Sequence, residues 1–446
     1  MALTGLDIFK LLPKTNCGKC GRPTCLAFAM ALAGKKASLA ECPHISDEAK
    51  AALDGASAPP MKLVKIGTGN STVQVGQETV LFRHDEKFHN PTAVAVRVTD
   101  DMPEAELRAK VEKIDALRFE RIGQKIAVNL VAVENRSGAA DKFAKAAKLA
   151  SESSTLPLVL MSSSAANLKS AAEAVSGKRP LLYGANKDNF AEVAAIAKAR
   201  NCPLVAVADG LEALAELTDK IKKLGVEEMV LDTGAKDLKA YLHTFTLARR
   251  ACLKKNVRAL GYPTIAVAAA PTPLAEVLKA SALIAKYAGI VVLDGAEPWQ
   301  ILPVLTARQN IYTDPQKPIQ VEPGVYKVGE ANESSPLLFT TNFSLTYFTV
   351  QADVEASRIP CWILVVNTEG LSVLTAYSGD KLNEKIVAEH MKKFKVEEKV
   401  KHRKLIIPGY VSVMSGKLEE ASGWEVLVGP KESSFIPKYL KTQWKV

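Results

Sequence analysis

Residues 204–233 have the sequence LVAVADGLEALAELTDKIKKLGVEEMVLDT, and this stretch decides the fold class. It begins with the apolar run LVAV and ends with the apolar run MVLD. Between these runs the apolar residues recur every three or four positions, which is the period of an amphipathic helix. A strand, a helix and a second strand in this order form a crossover unit, so the sequence predicts two parallel strands with the helix packed against them.

The same pattern recurs along residues 93–312. Eight apolar runs, each followed by a helical segment, are found there: AVAVRV (93–98), IAVNLVAV (126–133), PLVLMS (157–162), PLLYGA (180–185), LVAVAD (204–209), EMVLDT (228–233), TIAVAAA (264–270) and GIVVLDG (289–295). Continuous apolar strands indicate a parallel sheet that is covered on both faces. Eight such units predict a closed (β/α)8 barrel of the TIM type within an α/β protein.

Segments of different character flank the predicted barrel. Residues 1–58 form a small unit that carries four cysteines, and we predict helices in it at LDIFKLLP (6–13) and CLAFAMALAGKK (25–36). Residues 59–92 show the alternation of a β-hairpin connector, with strands predicted at KLVKIG (62–67) and TVQVGQETVLFRH (72–84). The proline-rich segment TDPQKPIQVEPG forms a linker over residues 313–324. Residues 325–446 alternate apolar runs with helical stretches, which predicts an open, doubly wound (Rossmann-like) domain. In such sheets a ligand binds at the carboxyl ends of the strands.

The composition narrows the class of protein. Hydrophobic residues make up 48% of the chain and charged residues 24%, as in ordinary globular proteins. Because no run of eighteen residues is free of Lys, Asp, Glu and Pro and the first residues lack a secretory pattern, we expect a soluble, cytoplasmic protein. The net charge of +10 is spread along the chain without a nucleic-acid-reading motif. We therefore expect neither a nucleic acid nor a membrane as partner.

Four cysteines form the most specific motif: Cys17, Cys20 and Cys25 lie within nine residues, and Cys42 follows. Three thiolates on a glycine-containing loop can cover one face of a cubane, and a fourth thiolate completes the ligand set of an iron-sulfur cluster. A structural zinc site usually draws on two C-x2-C pairs, of which one is present. A redox dithiol needs no third or fourth cysteine. The spacing favours a [4Fe-4S] cluster, with zinc and redox thiols as alternatives.

Other candidate residues have ordinary structural explanations. The three remaining cysteines stand in apolar contexts, and we expect buried structural thiols at Cys202, Cys252 and Cys361. Three aspartates stand at or next to the C-terminal ends of predicted barrel strands, where barrel active sites are built. Since aspartate also caps helices, and helical segments follow these residues, we expect helix caps at Asp209, Asp232 and Asp294.

The segment LDIFKLLPKTNCGKCGRPTCLAFAMALAGKKASLAECP (6–43) is similar to the cluster-binding module of the large (gamma) subunit of the corrinoid iron-sulfur protein. This family acts in the reductive acetyl-CoA pathway, with the CO dehydrogenase/acetyl-CoA synthase system. The segments TTNFSLTY (340–347) and NTEGLSVLTA (367–376) also resemble the family. Its domain order, which is cluster module, barrel and corrinoid-binding domain, matches the division above over essentially the whole chain.

The resemblance implies that Cys17, Cys20, Cys25 and Cys42 ligate a [4Fe-4S] cluster and that the C-terminal domain holds a cobalamin-type corrinoid. It implies a methyl carrier of anaerobic carbon fixation, whose Co(I) corrinoid accepts a methyl group from methyltetrahydrofolate through a methyltransferase and passes it to acetyl-CoA synthase. The cluster reductively reactivates Co(II). The chain itself is expected to be a non-catalytic carrier subunit that takes part in methyltransferase half-reactions.

The resemblance also implies several protein partners. They are the small subunit, which completes a heterodimer, the methyltetrahydrofolate methyltransferase, acetyl-CoA synthase/CO dehydrogenase and a low-potential electron donor such as ferredoxin. In this family the barrel is a docking and scaffolding unit. The alternative is an iron-sulfur barrel enzyme that acts on a pterin without a corrinoid. That function requires acidic or histidine residues at several strand ends, which are few in the sequence.

A corrin is broad, apolar on its faces and rimmed with amides, so it needs small residues beneath it and hydroxyl or backbone N–H groups around it. Residues of these kinds follow several predicted strands of the C-terminal domain, and we predict that they contact the corrinoid. They are Thr340, Thr341, Asn342, Ser344, Thr346, Gly370, Leu371, Ser372, Val373, Thr375, Gly379, Pro408, Gly409, Tyr410, Gly429 and Ser433.

One motif is absent from the sequence. Many corrinoid proteins of the methionine synthase type carry Asp-x-His-x-x-Gly, whose histidine coordinates cobalt from below. None of the six histidines here stands in that pattern. A strong axial donor stabilises the more oxidised cobalt, so its omission makes reduction easier. We therefore expect a corrinoid that is bound without a protein histidine ligand.

Overall fold

The computed structural model describes residues 5–33, 37, 39–46, 49, 59–121 and 124–444. The chain divides into two compact units. One consists of residues 82–87, 118–127 and 312–446, and the other contains the rest of the chain. The predicted boundary near residue 58 and the end of the helical pattern at residues 34–36 lie outside the described residues. Every helix within the described ranges is too short or too polar to span a lipid bilayer.

Eight parallel strands close into a barrel, as predicted, in the order β10-β11-β12-β3-β6-β7-β8-β9. The strands of this half of the chain are β1 (Leu63–Ile66), β2 (Val73–Gly76), β3 (Ala93–Thr99), β4 (Arg118–Arg121), β5 (Gln124–Ala127), β6 (Leu130–Glu134), β7 (Leu158–Met161), β8 (Leu181–Ala185), β9 (Leu204–Val207), β10 (Met229–Asp232), β11 (Thr264–Val267) and β12 (Ala288–Leu293). Most barrel-strand residues are buried, because helices cover the outside and side chains fill the inside.

A helix follows each barrel strand. These helices are Glu104–Asp115, Ala140–Ser153, Ala165–Ala174, Phe190–Arg200, Leu211–Lys223, Leu238–Lys255, Pro273–Ala285 and Pro298–Tyr312. The helix Leu211–Lys223 buries Leu214, Leu217 and Ile221, which lie on one stripe at the helical period. The opening strand–helix–strand prediction for residues 204–233 is confirmed.

The run IAVNLVAV (126–133) was wrongly predicted to be one barrel strand. Its first part belongs to β5, which pairs antiparallel with β4, and only β6 joins the barrel between β3 and β7. Most residues of β4 and β5 are not buried, whereas β6 has four consecutive buried residues. The break falls where the Asn129 N–H donates to the Val94 carbonyl oxygen, 2.9 Å away, and thereby sets the register of β6.

The hairpin β1–β2 closes the N-terminal end of the barrel. Val64, Ile66 and Val75 are fully buried and share one apolar cluster with inward-facing barrel residues such as Ala93 and Leu130. The prediction extended the second strand to residue 84, but β2 ends at Gly76. This glycine has φ +92°, and a Cβ there would stand 2.3 Å from the Lys62 carbonyl oxygen. Only glycine fits that turn.

In the described part of the cysteine-bearing segment lie the helices Gly5–Leu11 and Cys25–Ala33 and the 3-10 turn Leu39–Glu41. Ile8, Leu12 and Phe28 form their buried contact. Cys25 and Cys42 are buried in the same small core.

The C-terminal unit has a five-stranded sheet in the order β13-β15-β14-β16-β17. Its strands are β13 (Gly324–Val328), β14 (Leu337–Thr341), β15 (Cys361–Val366), β16 (Lys404–Ile407) and β17 (Glu425–Val428), and its helices are Ser344–Ser357, Val373–Ser378, Glu384–Lys393, Ser415–Ser422 and Ile436–Gln443. β13 is antiparallel at one edge and the other strands are parallel. Apolar clusters on both faces confirm the doubly wound prediction.

The strand order places a topological switch point in this sheet. From β14 the chain moves to β15 on one side, and it then crosses to β16 on the other side of β14. The helices that follow β14 and β15 therefore lie on opposite faces, and a crevice opens between the carboxyl ends of β14 and β16. Open α/β sheets bind ligands in such crevices.

Candidate functional site

A cavity of about 340 Å³ opens at this switch point. Leu338 and Thr340 of β14 and Ile406 of β16 form its floor, because alternate residues of a strand face the same side of the sheet. Val350 of the helix Ser344–Ser357 and Ile436 of the C-terminal helix line its walls. Pockets of roughly 300–1,000 Å³ with mostly apolar walls and a few polar groups are typical of small-molecule and cofactor sites.

Eight of the predicted corrinoid contacts line this cavity. They come from four separate segments, which the fold brings together at one edge of the sheet: Thr340, Thr346, Ser372, Val373, Pro408, Tyr410, Gly429 and Ser433. Their role as cofactor contacts stays a prediction. Their common location supports the idea that the strand-end loops converge on one ligand.

The other eight predicted residues lie outside the cavity lining, and several of them hold the loops that frame it. They are Thr341, Asn342, Ser344, Gly370, Leu371, Thr375, Gly379 and Gly409. Asn342 is 1% exposed, and its side-chain oxygen accepts hydrogen bonds from the N–H groups of Thr368 and Gly370, 2.9 and 3.0 Å away. Its side-chain NH2 donates to Gln320, in the predicted linker. Asn342 thus fixes the loops after β14 and β15 to each other.

Gly409 holds a third loop. A Cβ at this position would stand 2.6 Å from the Gly429 carbonyl oxygen and 2.8 Å from the Lys431 nitrogen, both backbone atoms. The Gly409 N–H donates to the Pro430 carbonyl oxygen, 3.0 Å away. The loops that follow β16 and β17 therefore approach closely only because residue 409 lacks a side chain.

Sequence reasoning missed the apolar part of the lining. Leu345 and Thr349 lie four residues apart on one helix face, as do Thr346 and Val350. This i, i+4 spacing was visible in the sequence. The apolar contributions of Ile406 and Ile436 were not, because the sheet order alone decides that β16 and the last helix lie beside β14.

Two buried hydroxyl groups on β14 have no hydrogen-bond partner. The side chains belong to Thr340 and Thr341, which are 1% and 0% exposed. Thr340 lines the cavity, whereas Thr341 faces the opposite side of the sheet. A buried polar group without a partner is costly, so a hydroxyl that faces a cavity indicates a ligand that bonds to it.

The rim of the cavity exposes large apolar side chains together with a polar pair. Leu345 is 67% exposed and Leu374 47% exposed. The Tyr410 hydroxyl donates to a carboxylate oxygen of Glu432, 2.5 Å away, and this hydrogen bond raises the pKa of Tyr410. Exposed apolar groups around a cavity mark a surface that another molecule covers.

The two histidines of residues 325–446 are both engaged in hydrogen bonds to the backbone. His390 Nε2 accepts from the Asn367 N–H, and its Nδ1 lies 2.8 Å from the Ile386 carbonyl oxygen. His402 bonds in the same way to Lys404 and Ser335. Neither histidine lines the cavity.

The four motif cysteines are free thiols around one small core. Cys17 is exposed, Cys20 is half-buried, and Cys25 and Cys42 are buried. The Asn16 N–H points at Cys25 Sγ, 3.4 Å away, an arrangement suited to a cluster-bound thiolate. Among the described residues, no three Cys, His, Asp or Glu side chains stand close enough together to hold one metal ion. The residue types and the spacing of the four thiols fit an iron-sulfur cluster.

We expect Cys17 to be the first cysteine alkylated in metal-free protein at pH 7.5. The Lys19 N–H and the Thr15 hydroxyl donate hydrogen bonds that lower the pKa of Cys17, so a larger fraction is thiolate, the reactive form. Burial raises the pKa of Cys202 and Cys252 to about 11, which keeps these thiols protonated. Iodoacetamide labelling followed by peptide mass spectrometry measures the order. Equal labelling of Cys17 and Cys202 would contradict it.

The prediction of structural thiols is borne out by burial. Cys202, Cys252 and Cys361 are all buried, and burial also raises the pKa of Cys361 to about 12.

The prediction of helix caps at the strand-end aspartates was wrong. Asp232 accepts hydrogen bonds from the Tyr183 hydroxyl and from the Gly234 N–H, and burial raises its pKa. Asp294 forms a two-bond ion pair with Arg97, at 2.7 and 2.9 Å. The helix after Asp209 begins at an N-cap glycine without a side-chain cap. Asp232 and Asp294 continue the inward-facing rows of their strands, and therefore lie in the mouth of the barrel.

Strand-end polar residues are thus more numerous in the barrel than the sequence suggested. Arg97 also pairs with Glu134, 3.3 Å away, so inward-facing polar side chains come from five strands: Arg97, Glu134, Tyr183, Asp232 and Asp294. They form two bonded groups, Arg97 with Glu134 and Asp294, and Tyr183 with Asp232, and this pairing favours a structural role. Arg97, Glu134 and Tyr183 were missed because their partners are distant in sequence.

Comparison with known proteins agrees with the cysteine motif and with the family resemblance. Residues 63–440 match the family described as CO dehydrogenase/acetyl-CoA synthase delta subunit, and residues 12–44 match a putative Fe-S cluster family. The corrinoid/iron-sulfur protein large subunit of Moorella thermoacetica is 47% identical over 441 residues, which cover 99% of this chain and 99% of that protein. The chain belongs to the family of the corrinoid/iron-sulfur protein large subunit. The family resemblance predicted from the sequence is confirmed over essentially the whole chain.

A more distant relative agrees with this assignment. The acetyl-CoA decarbonylase/synthase complex subunit gamma of Methanothermobacter thermautotrophicus is 39% identical and covers 99% of both chains. Among solved structures, 7,8-dihydropteroate synthase from Vibrio fischeri is 13% identical with a TM-score of 0.40, and the match covers 56% of this chain and 99% of that one. A similarity of that size says nothing about activity.

Proposed function

We propose that this chain is a methyl carrier of the acetyl-CoA pathway, which holds a corrinoid at its C-terminal domain and an iron-sulfur cluster at its N-terminal cysteines. The apolar cavity at the switch point carries the proposal. It offers an apolar slot, several strand-end loops and an exposed apolar rim in one place. These are the features that a large, flat, amide-rimmed ligand requires.

The cavity size suggests how a corrinoid fits. At about 340 Å³ the cavity is too small to enclose a corrin macrocycle, but it can take one aromatic ring system. We infer that the base of the nucleotide tail enters the slot between β14, β16 and the two flanking helices. Leu345 and Leu374, which are exposed at the mouth, would then contact the macrocycle. Ser372 and Ser433 stand where hydroxyl groups can bond its peripheral amides.

The histidine geometry supports a corrinoid without a protein histidine ligand. His390 and His402 each use both ring nitrogens in contacts to the backbone, so neither has a ring nitrogen available for cobalt unless an existing contact is broken. A bound corrinoid supplies a cobalt nucleophile that accepts and gives up methyl groups. The chain supplies the slot, the amide partners and an environment without a strong lower donor.

We propose that the N-terminal cluster is of the [4Fe-4S] type and that Cys17, Cys20, Cys25 and Cys42 are its ligands. The thiols lie on a loop and two short elements around one core, and the Asn16 N–H already faces one sulfur. Three cationic side chains of this segment offset the negative charge of thiolates and cluster: Lys14, Lys19 and Arg22. Because the proposed cluster and the proposed corrinoid belong to one chain, we infer that the cluster delivers low-potential electrons to the cobalt.

The partners follow from the same proposal. The relative named a large subunit implies a small subunit, and the exposed apolar rim of the cavity gives such a subunit a surface to cover. A methyl carrier also meets a methyltetrahydrofolate methyltransferase, an acetyl-CoA synthase and an electron donor such as ferredoxin. We propose that the chain meets each of these proteins in the cytoplasm.

Filling the cavity is expected to abolish corrinoid binding. Thr346→Trp places an indole in the slot, and we expect affinity for aquocobalamin to fall by at least about 100-fold, because the base can no longer enter. Full-length chain, purified anaerobically with its companion subunit, is titrated and followed by visible absorbance. The matched control is Ala352→Trp, an exposed position on the same helix and outside the cavity lining.

The outcome separates two functions. Binding of one cobalt per chain by the wild type and by Ala352→Trp, with loss in Thr346→Trp, supports the carrier. If the wild type bound no corrinoid in the presence of its companion subunit, the carrier function would be wrong. The alternative, an iron-sulfur barrel enzyme without a corrinoid, would then be favoured.

A further inference from the structure

The hydroxyl of Thr340 is the distinctive polar group of the cavity. It belongs to a side chain that is 1% exposed, and it has no hydrogen-bond partner. Two other hydroxyls of the lining already have partners: Thr349 donates to the Leu345 carbonyl oxygen, 2.7 Å away, and Ser372 bonds to Thr375 at 3.0 Å. Around Thr340 the floor is apolar, with Leu338 and Ile406 on the same face.

A threonine at this position carries a cost that valine does not. The two side chains have nearly the same shape, but the threonine hydroxyl loses its hydrogen bonds to water when it is buried. The strand already contains apolar residues at the neighbouring inward position, so packing alone requires no hydroxyl. A ligand group that bonds to Oγ1 would remove the cost.

We propose that Thr340 is a specificity-determining residue, whose hydroxyl hydrogen-bonds the far edge of the base on the corrinoid's nucleotide tail. This inference rests on the proposed function. A hydroxyl both donates and accepts, so it pairs with a ring nitrogen or a hydroxyl substituent on the base. A base with only methyl groups at that edge leaves Oγ1 unpaired, and the slot therefore discriminates against it.

The neighbouring residue gives a matched control. Thr341 is also fully buried and its hydroxyl also lacks a partner, but it faces the other side of the sheet. Thr340→Val and Thr341→Val therefore make the same chemical change, one residue apart. We expect the corrinoid-free unfolding midpoint of each variant to equal or exceed that of the wild type, because each removes an unpaired buried hydroxyl.

Three corrinoids test the inference on the full-length chain with its companion subunit. They are a 5-hydroxybenzimidazolyl cobamide, a 5,6-dimethylbenzimidazolyl cobamide and cobinamide, which has no base. We expect Thr340→Val to weaken binding of the hydroxybenzimidazolyl cobamide by roughly 5- to 10-fold and to leave the other two within about twofold. Thr341→Val is expected to change none of the three affinities.

Each other result has a definite meaning. An equal loss for all three corrinoids would overturn the inference, because Thr340 would then affect the macrocycle or the packing. Unchanged affinities in Thr340→Val would overturn it as well. Failure of the wild type to bind any of the three corrinoids would instead refute the proposed function on which the inference rests.

Discussion

Replacement of Cys42 by alanine is expected to remove nearly all cluster iron from the chain. Cys42 is the one motif thiol outside the segment 17–25, and a cubane held by three cysteines lacks its fourth protein ligand. Anaerobically purified wild-type protein is expected to contain about four irons per chain at the cluster, and Cys42→Ala close to none. Iron analysis and the cluster absorbance in the visible range measure the difference.

The matched control is Cys202→Ala. Cys202 is also a buried cysteine, but it lies beside a barrel strand, and its thiol donates to the Arg200 carbonyl oxygen. We expect the iron content of the Cys202→Ala variant to equal that of the wild type. If Cys42→Ala retained the full complement of iron, or if the wild type contained zinc instead, the cluster assignment would be wrong.

Replacement of Arg249 by methionine is expected to lower the free energy of unfolding by about 3–5 kcal/mol, because it leaves Glu78 as an unpaired buried charge. The two side chains are 4% and 5% exposed and lie 3.4 Å apart. Arg249 also donates to the Val80 carbonyl oxygen, 2.6 Å away, and lies between the rings of Phe88 and Tyr287, 5.0 and 4.9 Å from their centroids. A urea titration followed by circular dichroism measures the effect.

A neighbouring arginine supplies the control for this prediction. Arg250 is exposed on the same helix, and Arg250→Met is expected to change stability by no more than about 0.5 kcal/mol. Addition of Glu78→Gln to Arg249→Met is expected to cost less than the sum of the single changes, because it removes the unpaired charge. Strict additivity of the two changes would show that the pair does not act as a unit.

The barrel and the doubly wound domain could be predicted because their signals are local. Each barrel strand is a short apolar run and each helix an amphipathic repeat, so residues 204–233 alone show the unit from which the barrel is built. The cysteine motif is equally local, since three of its members lie within nine residues. The one wrong barrel strand, at residues 126–133, shows the limit of this reasoning. An apolar run does not reveal which of its residues pair with which neighbour.

The candidate site could be predicted only in part. Strand-end residues such as Thr340 and Tyr410 could be identified because turns follow apolar runs. The sequence did not tell which of these residues line the cavity and which hold the surrounding loops. Asn342 bonds to the loop after β15 and does not line the cavity, and its hydrogen-bond partners are more than twenty residues away in the sequence. The aspartates were misjudged for a related reason. Asp294 pairs with Arg97, 197 residues away, and no local rule connects two such positions.

The sequence by itself determined the strand–helix alternation, the family and the four-cysteine motif, because each depends on residues close together along the chain or on whole-length similarity. Only the tertiary structure decided where the cavity lies, which hydroxyl faces it and how the charges of the barrel mouth pair. These depend on sheet order and strand register, which bring distant segments into contact. A shift of one residue in register would turn Thr340 away from the slot and Thr341 toward it.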